Sequence, residues 1–397
     1  MIPTVWAGEG KAYVVFRIGR CFMNNPLKDF EIRITDGVES PFLTRNGVYQ
    51  DGTVPLYRDT DGRLWAIGGH SHMGHIGMFC GNSVMDLKEL YPIRTDFSVG
   101  EAGKAFSGIR YPEHIRARGS IWPFGLYICP VTHRFFCFFH NETGWNGNGT
   151  AYDAFGLCDE PKYDSDFRHV GLMHSDDEGK TWSFDRWVLT AEHVCFSERY
   201  VPEDENAIGQ KEGEIGLGSG DFSLFVEPEG EYIYLFYNVV RVDIAKGIWT
   251  ACDTYVARTH KRRDGVMGDF VKYYEGNFCE GGNLGKESPI VRNAWHSRVA
   301  YSTDLRKYVM VSTAVLPGKP VTQAVGDYME IRTSEDMLVW SDPITVKKNG
   351  KNFGNHYNAI VSVFAERQPN VIGKKFLLLT GHNGTDVTAY RTEIVRK

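Results

Sequence analysis

Histidine and glycine are concentrated in one short stretch of the sequence, GGHSHMGHIG at residues 68–77. Imidazole side chains can bind a metal ion, transfer protons or hydrogen-bond to a polar ligand. His70 and His72 would share one face of an extended strand, but no cysteine or carboxylate stands at a spacing that suits zinc. Three interpretations stay open: a metal site, a glycine-rich turn whose exposed histidines have no functional role, and the rim of a substrate site. We favour the rim, with His70 nearest to the end of the preceding strand.

The stretch belongs to a pattern that recurs five times along the chain. Each unit reads as an apolar strand, a polar turn, a second apolar strand, a long loop and a further pair of strands. The turns between the first two strands are YRDTDGRLW, CPVTHRFF, VEPEGEYIY, STDLRKYVM and RQPNVIGKKF. Five four-stranded sheets arranged radially bury their faces against one another and leave few free edges. The sequence therefore predicts an all-β fold, a five-bladed β-propeller of four-stranded antiparallel blades.

This pattern predicts one propeller domain over residues 1–397. The predicted blades lie near residues 54–95, 122–190, 220–277, 288–348 and 356–396. Residues 1–53 form an N-terminal segment, in which the run AYVVFRI at 12–18 is expected to complete the last blade and close the ring.

The overall composition argues against several classes of partner. A formal charge of −6 provides no basic surface for nucleic acid. No window approaches 18 uninterrupted apolar residues, so we expect no membrane span. The start MIPTVWAGEGK lacks the basic and apolar regions of a signal peptide. Three N-x-S/T triplets are compatible with secretion, so the compartment stays open, as does the oligomeric state.

A second motif carries a resemblance to known proteins. HSDDEGKTWSF at residues 174–184 fits S-x-D-x-G-x-T-W and resembles the Asp-box of the sialidase superfamily, and RTSEDMLVWSDP is a reduced version. The five-unit count resembles the five-bladed glycoside hydrolases: arabinanases and arabinofuranosidases, fructan hydrolases and anhydro-galactosidases. This resemblance implies a substrate funnel at the N-terminal ends of the first strands, next to the loops between the second and third strands.

Three acidic residues are expected at that funnel on the strength of the resemblance. They are Asp51 in QDGTV, Asp221 in GSGDFSLFV and Glu287 in NLGKESPIV. Glycoside hydrolysis needs one protonated and one ionised carboxyl group. We assign Asp51 as the base, Glu287 as the acid and Asp221 as the group that tunes pKa values, with the last two roles exchangeable. The alternatives are a turn Asp before glycine for Asp51 and a solvated loop residue for Glu287.

Further residues near the same mouth are candidates for substrate binding. These are His70, His72, Trp122, His140, Glu142, Trp145, His296, Arg298 and His356. Trp122 reads equally well as a stacking platform for a sugar and as a core residue. No set of metal ligands is assigned and no cofactor is required, although the central channel could hold Ca²⁺ or another ion.

The resemblance implies a glycoside hydrolase that removes a non-reducing-end sugar from a plant, algal or microbial polysaccharide, with inversion at the anomeric carbon. The first alternative is a propeller polysaccharide lyase that uses His, Tyr and Arg on a uronate. A sialidase-like enzyme and a non-catalytic carbohydrate-binding propeller are the others.

Overall fold

Five antiparallel sheets make up most of the described structure. The computed structural model describes residues 4–6, 13–15, 26–38, 51–70, 75–93, 106–107, 120–142, 168–191, 214–243, 248–315, 328–363, 366–381 and 388–397. Its one helical segment among these residues is a 3₁₀ turn, Pro26–Asp29. No helix within these ranges is long and apolar enough to cross a bilayer.

Each sheet forms one blade, with its strands in order from the centre outward. Blade one contains Leu56–Arg58, Leu64–His70, His75–Gly81 and Lys88–Ile93. Blade two contains Ser120–Ile128, Phe135–Glu142, Arg168–Ser175, Trp182–Leu189 and the parallel edge Phe106–Ser107. Blade three contains Gly220–Val226, Tyr232–Asp243, Ile248–His260, Val271–Tyr274 and Asn277–Gly281, with Glu214–Gly216 beside its second strand.

The last two blades are built in the same way. Blade four contains Trp295–Ser302, Lys307–Ala314, Tyr328–Ser334 and Ile344–Thr345, and Val371–Ile372 pairs in parallel with its first strand. Blade five contains Tyr357–Ser362, Lys375–Gly381, Thr388–Arg396 and Phe30–Val38. The short pair Lys347–Lys348 and Lys351–Asn352 lies between blades four and five in sequence.

The N-terminal segment supplies the outer strand of the last blade, but through a different stretch from the expected one. Phe30–Val38 pairs antiparallel with Thr388–Arg396. Tyr13–Val15, within the run that was expected to fill this place, pairs instead with Thr4–Trp6. The first and last parts of the described chain therefore share one sheet.

Alternating side chains bind each blade to its two neighbours. Along the second strand of blade two, Phe135, Cys137 and Phe139 pack with blade one, whereas Phe136 and Phe138 pack with blade three. This alternation follows from the two-residue period of a strand. Five such apolar clusters join blades one to two, two to three, three to four, four to five and five to one. The five sheets therefore form a closed propeller.

The hairpin that suggested an Asp-box is held by side-chain hydrogen bonds. Asp177 accepts bonds from the Thr181 amide at 2.9 Å and from the Thr181 and Ser175 hydroxyls at 2.7 Å. Gly179 has a φ of +83°, and its carbonyl accepts a bond from the Trp182 indole at 2.9 Å. These contacts explain the spacing, and the assignment to the sialidase-type motif stays a prediction.

The first strands of all five blades surround a central channel. Its walls include Val54 of blade one, Gly125 of blade two, Leu224 of blade three, Val299 of blade four and Ile360 of blade five. The N-terminal ends of these strands therefore converge at one mouth of the channel.

Candidate active site

Three residues near the heads of first strands have positive φ values, a backbone conformation that is rare for residues other than glycine. Asp51, Asp221 and His296 have φ values of +44°, +39° and +50°. In blades three and four the pairing shifts by one residue, between Gly220 and Ser223 and between Trp295 and Arg298. Such β-bulges redirect side chains, and strained non-glycine residues tend to cluster at functional sites. The backbone thus marks this mouth as the candidate site.

Asp221 is a buried carboxylate held by positive and polar groups. Its Oδ2 lies 3.1 Å from Arg168 Nη1 and 3.8 Å from His296 Nδ1, and its amide donates to His140 Nδ1 at 3.3 Å. Burial raises its pKa, but the histidines and the guanidinium groups of Arg168 and Arg298 outweigh burial and hold the pKa well below its usual range. Asp221 is therefore ionised at neutral pH.

Burial also determines the charge of the neighbouring histidine. It lowers the pKa of His296 to about 3, against the attraction of Asp221, so the imidazole is neutral at neutral pH. Neither ring nitrogen of His296 has a hydrogen-bond partner within the described residues. The charge that stabilises ionised Asp221 at neutral pH therefore comes mainly from arginine.

Arg168 joins Asp221 to a second carboxylate. Its Nη2 lies 2.8 Å from Glu142 Oε1, which is also 3.2 Å from His140 Nε2. Because His140 Nδ1 accepts the Asp221 amide, its proton belongs on Nε2, facing Glu142. Glu142 and Arg168 are register partners in blade two, whereas Asp221 belongs to blade three. One guanidinium thus binds acids from two blades.

Asp51 has the opposite ionisation behaviour. Burial, followed by the negative charges of Asp221 and Glu142, raises its pKa to about 8, although Arg298 and Arg168 oppose the shift. The residue as a whole is half-buried, whereas its carboxyl group is surrounded by protein. The site therefore combines a protonated Asp51 with an ionised Asp221 at neutral pH.

Arg298 fixes the backbone that carries Asp51. Its guanidinium donates to the carbonyl oxygens of Asp51 at 2.6 Å, Gly52 at 2.7 Å and Ser297 at 3.0 Å. A Cβ on Gly52 would lie 3.2 Å from backbone atoms of Asn358, and the φ of Gly52 is +76°. Arg298 therefore positions Asp51 through main-chain contacts.

Aromatic and imidazole rings line the mouth on two sides. His296, His356 and Tyr357 have ring centroids 4.3–4.7 Å apart. Burial, and then the acids Asp51, Asp221 and Glu142, raises the pKa of Tyr357 well above its usual range. On the other side, His70 stacks on Trp122 at 5.4 Å, and Trp122 lies 5.7 Å from His140. Trp122 is 5% exposed, so it supports His70 more than it offers a sugar platform.

The structure brings together most of the residues singled out in the sequence. The group at the mouth contains Asp51, Asp221, His70, Trp122, His140, Glu142, His296, Arg298 and His356. Two candidates, His72 and Trp145, lie outside the described residues. The sequence analysis missed Arg168 and Tyr357. Arg168 begins a buried strand, and a charged residue at the head of an apolar strand is the signal that could have found it.

Glu287 lies in a different set of contacts. Its Oε2 is 2.7 Å from Lys272 Nζ and accepts a bond from the Tyr237 hydroxyl at 2.7 Å. The charges that act most on Asp51 include those of Asp221 and Glu142. Glu142, rather than Glu287, therefore occupies the third acidic position of this site.

Donor atoms of His140, Glu142 and Asp221 lie within 4.8 Å of one another, a spacing that could hold a metal ion. Arg168 is bonded to both carboxylates, so it already supplies the positive charge that a cation would bring. An ion at these residues would have to share the two carboxylates with Arg168.

Comparison with known proteins finds similarity among solved structures only. No protein-family model and no curated protein matches the chain. Among solved structures, a family 117 glycoside hydrolase from Zobellia galactanivorans is 11% identical, with a TM-score of 0.48 over 94% of this chain and 92% of that one. An α-L-arabinofuranosidase from Lactobacillus brevis is 11% identical, with a TM-score of 0.43 over 90% and 94%.

A third similar structure is an endo-arabinase from Bacteroides thetaiotaomicron. It is 12% identical, with a TM-score of 0.38 over 91% of this chain and 97% of that one. At these identities the comparison concerns the fold alone. The propeller assignment rests on the five sheets described above.

The raised pKa of Asp51 predicts a pH-dependent gain in stability for Asp51→Asn. The folded state holds the Asp51 proton up to about pH 8, whereas the usual pKa is 3.8. The stability contribution of Asp51 is therefore complete below about pH 4 and is lost as pH rises towards 8. In thermal unfolding, the Tm of Asp51→Asn minus the Tm of wild type should increase by a few degrees between about pH 4 and about pH 8. Asp304→Asn, at an exposed turn, is the control, and a constant difference across the range would contradict the assignment.

Proposed function

We propose that the chain is a glycoside hydrolase whose catalytic carboxyl groups are Asp51 and Asp221. The observation that supports this most is their opposite protonation at one mouth of the propeller, with a pKa of about 8 for Asp51 and a strongly lowered pKa for Asp221. Environments that push two carboxyl pKa values apart are how an acid and a base are created from the same residue type.

The proposed reaction assigns one step to each group. Asp51 donates its proton to the leaving glycosidic oxygen, while Asp221 takes a proton from the water that attacks the anomeric carbon. Glu142 raises the pKa of Asp51 and stays paired with Arg168. These roles differ from the sequence-based hypothesis, in which Asp51 was the base and Glu287 the acid.

The surrounding rings suit a sugar. Neutral His296 is fully buried beside Asp221 and supports the wall of the site from behind. His70, stacked on Trp122, presents a partly exposed ring at the same mouth. We propose that the substrate is a non-reducing-end residue of a plant, algal or microbial polysaccharide.

A polysaccharide lyase is the second candidate, because His296, His356 and Tyr357 lie together. A lyase must neutralise a uronate carboxylate beside the proton that it removes. Arg168 is bonded to two acids and Arg298 to three carbonyl groups. The high pKa of Tyr357 also makes its phenolate costly to form. The arrangement therefore favours hydrolysis, and an unsaturated, ultraviolet-absorbing product would reverse this choice.

Removing the Asp51 carboxyl group and removing the Asp221 carboxyl group should have different effects when the leaving group of the substrate is changed. With p-nitrophenyl glycosides, Asp51→Asn and Asp221→Asn should each lower kcat/KM by about 10²–10⁴-fold. With dinitrophenyl glycosides, Asp51→Asn should recover much of the loss because a better leaving group needs less acid assistance, whereas Asp221→Asn should not.

Asp304→Asn, at an exposed turn away from the mouth, is the control. A loss in this variant equal to that of Asp51→Asn would contradict the assignment. Wild-type binding of glycans with no turnover of any of them would instead indicate a carbohydrate-binding propeller.

The pH profile of kcat/KM should report Asp51. Activity should fall above about pH 8, where Asp51 loses its proton, and it should fall at low pH where Asp221 gains one. Initial rates from pH 4 to 10 on one aryl glycoside measure the alkaline limb, since the pKa of Asp221 lies below this range. In Asp51→Asn, assayed on the dinitrophenyl substrate, the alkaline limb should disappear, and its persistence would assign the proton to another group.

The stereochemical outcome is predicted from the resemblance to arabinanase-like enzymes, which implies inversion. Proton NMR of the first sugar released, before mutarotation, identifies its anomer. Release of the opposite anomer to that of the substrate supports Asp221 as the base for water. Release of the same anomer would make Asp221 a nucleophile.

A further inference from the structure

A separate cavity of about 160 Å³ lies between blades two and three. Its lining includes Ala191, Gly218, Arg241, Tyr255, Glu287 and Arg292. Ala191 follows the last strand of blade two, and Arg241 lies near the end of the second strand of blade three. Both positions are at the mouth face, because even-numbered strands of a blade end where first strands begin. The cavity has room for several waters.

A short segment of chain separates this cavity from the proposed catalytic centre. Gly218 forms a parallel bridge with Arg168, and the Arg168 amide donates to the Leu217 carbonyl at 2.9 Å. A Cβ on Gly218 would lie 2.6 Å from the Arg168 carbonyl oxygen, and the φ of Gly218 is +105°. Three residues after Gly218, at most about 10 Å along the chain, comes Asp221. The cavity can therefore receive a neighbouring part of the same substrate.

Among the described residues that line this cavity, the only acidic one already has its charge compensated. Glu287 is 2.7 Å from Lys272, which is fully buried, and accepts the Tyr237 hydroxyl. Lys272 also donates to the carbonyl oxygens of Thr190 and Gly285. This ion pair fixes the cavity wall and leaves little negative charge towards the cavity.

The two arginines of the lining have weaker partners. Arg241 lies 3.4 Å from Glu214, with both side chains more than 40% exposed, and Arg292 is 73% exposed and 3.3 Å from Asp253. The Arg241–Glu214 pair is exposed and contributes little, and in the second pair the Arg292 side chain lies in solvent although Asp253 is buried. Glu214 also accepts the Thr250 hydroxyl, and Asp253 also accepts the Asn293 amide. Both acids therefore retain a donor if an arginine turns towards a ligand.

We propose that this cavity is a subsite for an anionic substituent, the carboxylate of a uronic acid or a sulfate ester, on the glycan that is cleaved at Asp51 and Asp221. The inference rests on the proposed function for its link to catalysis. Arg241 and Arg292 bind the anion through charge-assisted hydrogen bonds, and Tyr255, which is hydrogen-bonded to Arg241, holds the first guanidinium in place. The enzyme is thereby specific for acidic polysaccharides.

The test compares three forms of the same plant or algal polysaccharides: native, carboxyl-reduced and desulfated. Wild type should cleave the native form about tenfold or more faster in kcat/KM than the form that lacks the recognised group. Which modification lowers the rate identifies carboxylate or sulfate. Arg241→Gln with Arg292→Gln should reduce this preference by about tenfold. Arg262→Gln, an exposed arginine paired with Asp264 away from the cavity, should keep it.

A binding measurement distinguishes two outcomes: the subsite proposal is wrong, or the hydrolase proposal is wrong. Calorimetric titration with galacturonic acid, galactose 6-sulfate and galactose requires no turnover. Binding of one acid but not galactose, lost in the double arginine variant, supports the subsite even if wild type cleaves no glycan. Equal cleavage of all three polysaccharide forms, or equal binding of the three sugars, overturns the subsite and leaves the hydrolase proposal intact.

Discussion

The candidate site depends on one guanidinium that binds two buried carboxylates. Arg168 compensates one negative charge of the pair formed by Glu142 and Asp221. The pair and the guanidinium together therefore keep one net negative charge. Arg298 brings a second positive charge nearby, but its donors are bonded to backbone carbonyls. Burial makes ionisation of Asp51 costly, and the negative charges of Asp221 and Glu142 add to that cost, so Asp51 holds its proton. The division between acid and base thus follows from the number of cations available.

The propeller makes this arrangement possible because it brings distant segments to one place. Glu142 and Arg168 come from blade two, Asp221 from blade three and Asp51 from the start of blade one. Bulges near the heads of two first strands turn Asp221 and His296 out of the regular alternation. The strain of each such residue costs of order 1–3 kcal/mol. Packed apolar clusters between all neighbouring blades hold the backbone against that cost.

The sequence predicted the number of blades because Gly- and Asp-containing turns separate strongly apolar strands. It also identified Asp221, through the resemblance that implies a substrate funnel at the heads of first strands. It missed Arg168 for a specific reason: only the heads of first strands and the loops before third strands were considered, and Arg168 begins a third strand. The partner itself is a long-range contact between residues 168 and 221, which no local pattern contains.

Two other differences between the sequence-based predictions and the structure also arise because a sequence pattern reports only neighbouring residues. Glu287 stands before a short apolar run, ESPIV, but the first strand of blade four begins only at Trp295, so Glu287 belongs to a connecting segment. The strand that closes blade five was expected in the more apolar run at 12–18. Phe30–Val38 instead alternates exposed and half-buried residues over its first six positions, as an outer strand with one solvent face does.

Three acids at the same face of the propeller thus differ in protonation or in the partner that compensates their charge. Asp51 retains a proton because it is buried and because the charges of Asp221 and Glu142 add to the cost of ionising it, whereas Asp221 is ionised because Arg168 binds it. Glu287 is neutralised by buried Lys272. Residue type and position near a strand were similar in all three cases, so the difference comes from the nearest cation and how many acids share it. The same reasoning applies to the second cavity. Lys272 already compensates the charge of Glu287, so the two weakly paired arginines beside it determine which ligand we expect the cavity to bind.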